Sequence, residues 1–207
     1  EIAALEDTAG RARLEEVRRR DAEFVAVAGQ APNFGLSRSA IWLRYEIEST
    51  SNSPQSLYLR LGNPEIADAA LFVTVGARLL STEWTGSRVP ARSRPVADSG
   101  LTLPFELPAR SRAVLYLRVT TEGMPLIVPA RVLDPAALQA TRNREHWQNG
   151  ALAGLFAALI VGGALSWLRR RDPLLPLYLL LLLITWAGLT ARNGYGPAYL
   201  YPALSWP

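Results

Sequence analysis

Apolar and polar positions alternate in short bursts along the first two-thirds of the chain. Residues 41–48, IWLRYEIE, place Ile41, Leu43, Tyr45 and Ile47 on one side and Trp42, Arg44, Glu46 and Glu48 on the other. The same alternation recurs at residues 57–61, 71–75, 101–107 and 115–119. A period of two marks strands that bury one face. Between the bursts lie turn-forming clusters, Ser49-Thr50-Ser51-Asn52-Ser53-Pro54 and Gly62-Asn63-Pro64. Short alternating strands punctuated in this way predict a mainly β domain, a jelly roll or β-sandwich, over residues 1–133. Only the start departs from the pattern: residues 12–20 read as a short helix, and 24–27 as a strand.

Beyond this domain the period is lost. Asp134-Pro135 reads as a helix N-cap followed by proline at the first helical position, and no further proline occurs before Pro173. Residues 134–149 are therefore expected to form a polar juxtamembrane helix that continues into the next segment, with Gly150 its weakest point. Residues 150–168 and 173–191 are two runs of 19 residues without a charge, each long enough to cross a hydrocarbon core. Trp147 and Trp167 bracket the first run twenty residues apart, about 30 Å along a helix, which suits two interfacial aromatic belts. Tyr178 and Trp186 flank the second run, and Tyr195, Tyr199, Tyr201 and Trp206 follow it.

The turn between the runs, residues 169–172, is Arg-Arg-Arg-Asp. Three arginines in so short a loop mark the cytoplasmic side of a bacterial inner membrane. The β domain is then expected in the periplasm, and residues 192–207 return there as a loop. On the first span Gly150, Gly154, Ala158, Gly162 and Ser166 stand four apart. Such a stripe admits another helix at close range, in a larger bundle or a dimer; chance in an Ala/Gly-rich helix is the alternative. The chain starts at Glu1 and stops at Pro207 beside an apolar segment, so it is expected to be a piece of a longer protein.

Charge sharpens this picture. From Trp147 onward only Arg169, Arg170, Arg171, Asp172 and Arg192 are charged, whereas the first 146 residues hold 18 arginines against 17 acids. The basic excess thus belongs to the membrane part, and a nucleic-acid face is not expected. There is no cysteine, which excludes disulfides, thiolate metal sites and cysteine nucleophiles. With His146 the only histidine, no metal site is expected, and no cofactor motif or catalytic constellation is present. The chain is not expected to be an enzyme.

Candidate binding chemistry lies on the strands. Trp42 with Arg44, Tyr58 with Arg60, and Tyr116 with Arg118 each place a ring and a guanidinium two residues apart on one face. If those strands are neighbours, the three pairs form one patch. Rings stack on sugars, and arginine supplies planar donors for hydroxyls or carboxylates; alternatively, the rings pack beneath the arginine stems or under a loop. Trp84 precedes a loop carrying Arg88, Arg92 and Arg94, which either binds an anion or is solvated. The candidate ligand residues are therefore Trp42, Arg44, Tyr58, Arg60, Trp84, Arg94, Tyr116 and Arg118. An unknown small molecule of carbohydrate type is the expected ligand. The alternatives are a homodimer or partner-receptor interface without a small ligand, and a membrane-anchored carbohydrate-binding protein.

A family resemblance runs through the chain in order. Glu6-Asp7 precedes Leu14-Glu15-Glu16-Val17; Asn33-Phe34-Gly35 leads into Trp42-Leu43-Arg44; Thr85-Gly86 is followed by Pro90 and Arg94, and then by Leu115-Tyr116-Leu117-Arg118. Gly150 and Gly154 open the first apolar run, Arg171-Asp172 with Tyr178-Leu179 the second, and Asn193-Gly194 with Tyr199-Leu200-Tyr201-Pro202 closes the series. In these features the chain resembles bacterial seven-transmembrane receptors with diverse intracellular signalling modules, from their type-2 extracellular domain into the first two membrane helices. Ser87 departs from the pattern, where an acidic residue is expected. The resemblance implies a jelly-roll domain similar to carbohydrate-binding modules, and seven membrane helices. It also implies a diguanylate cyclase or histidine kinase output, which lies outside this sequence.

Overall fold

Ile41, Leu43 and Tyr45 point into the core of a β-sandwich, as their alternation demands. The computed structural model describes residues 2–27, 29 and 31–200. Its strands are β1 (Ile2–Asp7), β2 (Val25–Ala26), β3 (Asn33–Leu36), β4 (Ala40–Glu48), β5 (Gln55–Leu61) and β6 (Asp68–Val75). They continue with β7 (Arg78–Thr85), β8 (Leu101–Leu107), β9 (Arg112–Thr120), β10 (Pro125–Ile127) and β11 (Ala130–Leu133). A short helix, α1 (Leu14–Arg19), lies between β1 and β2.

One sheet has the order β2-β1-β4-β9-β6-β7 and the other β11-β5-β8, while β10 and β3 form a small ladder; all pairings are antiparallel. Successive strands switch sheets: β4 lies in the large one, β5 in the small, β6 and β7 in the large, β8 in the small, β9 in the large. This interleaved winding is that of a jelly roll. Between the sheets lie Leu43, Leu59, Leu61, Leu71, Leu103, Leu115 and Leu117, all essentially inaccessible. Each such side chain stabilises the sandwich by about 1.5–3 kcal/mol through burial. The alternating segments read from the sequence all lie in strands. β1, β3, β7, β10 and β11 escape that reading: IAALED and RLLSTEWT lack a clean period of two, and the other three are only three or four residues long.

After β11 the chain enters α2 (Pro135–Arg170), a single uninterrupted helix of 36 residues. The Asp134 carboxylate accepts a hydrogen bond from the Ala137 amide at 2.7 Å, capping its first turn. Arg171 adopts a left-handed conformation (φ 54°) and ends the helix. Asp172 then accepts from the Leu174 amide, and α3 (Leu174–Arg192) runs back. Both helices are long and apolar enough to cross a membrane. They pack closely at Gly163, where a Cβ would sit 2.7 Å from the Leu179 side chain. Gly150, Gly154 and Gly162 face open space, and Ala158 is exposed, so the small-residue stripe has no partner among the described residues.

Beyond α3 the chain returns to the sandwich. Gly194 has φ +71°, and a Cβ there would lie 2.2 Å from the Ser99 carbonyl oxygen. Only glycine fits this contact, which brings the outer end of the hairpin against the β domain. Tyr201, Pro202 and Trp206, named above as following the second run, lie outside the described residues.

Candidate functional site

Two of the three ring–arginine pairs interlock across β4 and β9. Trp42 stands opposite Arg118, and Arg44 opposite Tyr116. β6 places Ala70 beside Arg118 and Phe72 beside Tyr116, and β7 sets Trp84 opposite Ala70. The outer face of the large sheet thus carries Leu5, Trp42, Arg118, Ala70 and Trp84 in one row.

The third pair is elsewhere. β5 belongs to the small sheet, so Tyr58 and Arg60 lie on the far side of the sandwich, and the expected single patch divides in two. The strand alternation was read correctly; the sheet switch after β4 decides which strands are neighbours.

Much of the large-sheet face is covered. α1 and its flanking loops lie on it, and Leu14, Val17, Leu5, Trp42 and Tyr116 form a second apolar cluster with Phe24 and Phe72 at its edge. Trp42 is 1% exposed and Tyr116 5%. The cover is held from several sides. The Asp7 carboxylate accepts from the Gly10 and Ala12 amides at 3.0 and 2.8 Å. Arg18 donates to the carbonyls of Gly76 and Ala77 at 2.9 and 3.0 Å, tying α1 to the β6–β7 turn. Arg118 donates to the Gly10 carbonyl at 2.9 Å. Arg44 pairs with Glu46 and lies 3.3 Å from Asp21. Trp42, Tyr116, Arg44 and Arg118 therefore all serve in holding the α1 layer.

An opening remains between the start of α1 and the edge strand β7. A groove of about 460 Å³ is lined there by Arg11, Arg13, Trp42, Phe72, Leu79 and Trp84, with Arg118 at its side. Trp84 is 55% exposed and meets Phe72 edge-on at 6.3 Å, while Phe72 stacks on Trp42 at 5.6 Å. The Trp42 indole N–H is buried without a hydrogen-bond partner among the described residues. The groove thus joins an exposed ring and several arginines.

On the small sheet Arg60 meets a different environment. Its Nε donates to Asp98 at 2.9 Å, and its terminal nitrogens donate to both carboxylate oxygens of Glu145 on α2, at 2.9 and 2.8 Å. Asp98 is fully buried and also accepts from Thr102 Oγ1 and the Ser99 amide, each at 2.8 Å. Ser99 Oγ donates to Glu145 at 2.7 Å, and Arg142 of α2 donates to the Ala97 carbonyl at 3.0 Å. Burial alone would raise the Asp98 pKa. The hydrogen bonds and charge of Arg60, aided by Thr102 and Arg142, outweigh it and hold the carboxyl below its ordinary value. For Arg60 the balance is the mirror image: burial opposes the charge, yet Glu145 and Asp98 hold its pKa above normal. Arg60 is a clamp between the sandwich and the juxtamembrane helix.

The loop arginines diverge. Arg88 lies 3.1 Å from Glu122 and 3.6 Å from Asp68, Arg92 is exposed, and Arg94 donates from Nε to the Val89 carbonyl at 3.0 Å. They form no common anion cluster. His146, on the outward part of α2, packs against Tyr199 and Tyr195 at ring distances of 5.0 and 5.9 Å.

Residues 1–134, up to the residue that caps α2, match the family described as 7TMR-DISM extracellular 2. The chain belongs to that family. It is thus an extracellular domain of receptor type, followed by two helices long and apolar enough to anchor it in a membrane. Among solved structures it is similar to that of TmCBM61 in complex with beta-1,4-galactotriose: 12% identity, 64% of this chain and 88% of the other covered, TM-score 0.34. It is also similar to the native structure of a family 35 carbohydrate binding module from Clostridium thermocellum, at 12% identity, with 62% and 95% covered and a TM-score of 0.31. No curated protein matches the chain in sequence.

Asp98, Ser99 and Glu145 were not among the residues singled out from the sequence. Their signal is faint: Asp98-Ser99-Gly100 reads as a turn, and Glu145 as one charge in a polar helix. What made them partners is the docking of α2 on β5, which no local pattern encodes.

Proposed function

We propose that this chain is the periplasmic sensory part of a bacterial transmembrane receptor in the inner membrane, and that its β-sandwich reports a small carbohydrate-like ligand to the membrane along α2. The observation that carries this reading is the clamp at Arg60. Its guanidinium joins buried Asp98 of the sandwich to Glu145 on a helix that continues unbroken to Arg170. A rigid helix so attached moves with the domain, and ligand binding that favours one arrangement of the sandwich biases the helix as well. The ligand surface is the groove at Trp84. An exposed indole offers a face for a sugar ring, and the arginines that line the groove, Arg11, Arg13 and Arg118, offer donors for hydroxyls. The arginine turn 169–172 stands on the cytoplasmic side, where an output domain receives the signal.

The test is a titration of the chain in detergent micelles with a panel of neutral mono- and oligosaccharides, followed by tryptophan fluorescence and hydrogen exchange. A binding sugar is expected to change amide exchange over residues 142–150 in the native chain. In Glu145→Gln the sugar still binds, but this change is lost. Binding that survives Trp84→Ala unaltered would exclude the groove. Binding that leaves residues 142–150 untouched would exclude the helix as the route.

A further inference from the structure

Arg94, unlike Arg60 and Arg44, has no carboxylate within ion-pair range among the described residues. Arg60 and Arg44 face carboxylates, and Arg118 a backbone carbonyl. Arg94 has only its Nε bonded, to the Val89 carbonyl at 3.0 Å; its terminal nitrogens have no hydrogen-bond or ion-pair partner among the described residues. Burial draws its pKa down, and the charge of Asp98 opposes this only in part.

This guanidinium lines a cavity of about 310 Å³ between the sandwich and the outer end of the hairpin. The opposite wall is formed by Ala191, Arg192 and Gly194, and Arg192 likewise has no ion pair among the described residues. The Gly194–Ser99 contact sets the two walls at close range. Ser87 and Glu65 add polar lining; Glu122 also borders the cavity, and Arg88 neutralises it at 3.1 Å. The volume falls at the small end of ligand pockets, which run roughly 300–1,000 Å³. Two unpaired guanidinium groups, one from each wall, suit a single oxyanion, because their planar forks bind phosphate or carboxylate through paired donors. Arg192 closes an apolar span, so the cavity lies at the level of lipid headgroups, where phosphate is abundant. Glu65 can accept from a hydroxyl or ammonium group beyond the phosphate.

We propose that this cavity binds a phosphate group, carried by a phospholipid headgroup or by a soluble phosphate ester, which bridges Arg94 of the sandwich and Arg192 of the hairpin. A ligand held by both walls stabilises the docked arrangement by its differential affinity for it. That consequence rests on the sensory reading above; the binding itself does not.

The test uses the chain in dodecyl maltoside, stripped of phospholipid. It is titrated separately with glycerol 3-phosphate and with phosphatidylglycerol at constant ionic strength, and followed by the thermal unfolding midpoint and native mass spectrometry. A saturable rise with glycerol 3-phosphate identifies a soluble ester as sufficient, and a rise with the lipid alone identifies the headgroup. Arg94→Gln and Arg192→Gln are each expected to weaken binding at least tenfold, while Arg92→Gln, an exposed arginine outside the cavity, leaves it unchanged. The proposal is overturned if neither phosphate compound binds saturably. It is also overturned if Arg94→Gln and Arg192→Gln bind as Arg92→Gln does. Should Arg94→Gln not fold, Arg192→Gln at the exposed end of α3 decides alone. Neither sugar binding nor exchange in α2 enters this readout, so either reading can fail without the other.

Discussion

Arg60 of β5 and Glu145 of α2 meet through two parallel hydrogen bonds, Nη1 to Oε1 at 2.9 Å and Nη2 to Oε2 at 2.8 Å. The bond pair spans 85 residues of sequence and joins two bodies of different character, a β-sandwich and a membrane-entering helix. Its inner neighbour, Asp98, has no contact with solvent. The two carboxylates therefore depend on Arg60 unequally, and substitutions separate them.

Arg60→Ala strands Asp98 as a buried charge without its main partner and is expected to destabilise the sandwich by about 3–5 kcal/mol. Glu145→Gln keeps an acceptor at a partly exposed position and costs about 1 kcal/mol. Chemical denaturation of the chain in micelles, followed by near-UV circular dichroism, measures both. In a double-mutant cycle the two positions should couple by roughly 0.5–3 kcal/mol, as residues in one network do. Equal losses for the two single variants would contradict the placement of Asp98 behind Arg60.

Acid should act through the same cluster. The folded-state pKa of Asp98 is depressed, so its contribution is fully present above the unfolded carboxyl value of about 3.9 and is lost as pH falls through the lower folded value. Asp98→Asn is expected to lie on the order of 3 kcal/mol below the native chain at pH 7. The gap should narrow below about pH 4, where the unfolded chain's carboxyl begins to take up its proton while the native one, held lower, is still ionised. A difference that stays constant from pH 7 to pH 3 would show that the Asp98 charge is not what stabilises the fold.

The sandwich was legible because burial of one strand face leaves a period of two in the sequence, and the hairpin because a hydrocarbon core requires long uncharged runs. The ring–arginine pairs show where such reading stops. Trp42, Tyr58 and Tyr116 look alike in their strands, yet Trp42 and Tyr116 lie under α1 while Tyr58 is on the other sheet. Strand order decides this, and it is set by contacts between residues distant in the chain. Arg60 reads from the sequence as a donor toward a ligand, and its protein partners are not legible there, since Asp98 and Glu145 reach it only after β8 and α2 have docked.

Trp42 and Trp84 should therefore respond differently to truncation. Trp42→Ala opens a cavity between α1 and the large sheet and is expected to cost about 3–5 kcal/mol. Trp84 is 55% exposed, and Trp84→Ala should cost less than about 1 kcal/mol. Loss of sugar binding in Trp84→Ala is thus interpretable as loss of a contact, whereas in Trp42→Ala it is not. Denaturation of both variants, measured before any ligand titration, checks this division.

Gly194 offers a way to part the two bodies without unfolding either. Its φ of +71° disfavours any side chain, and a Cβ would press to 2.2 Å from the Ser99 carbonyl oxygen, a backbone atom that cannot rotate aside. Gly194→Ala is expected to push the outer end of the hairpin away from the sandwich. Amide exchange should rise around residues 98–100 and 193–195, while exchange in the central strands β4 and β9 stays unchanged. Gly154→Ala is the matched control: Gly154 faces open space within α2, so an added methyl meets nothing and helix propensity improves by roughly 1 kcal/mol. If Gly194→Ala instead lowers protection throughout β4 and β9, the contact belongs to the folding core of the sandwich. If it changes exchange nowhere, the hairpin does not rest on Ser99.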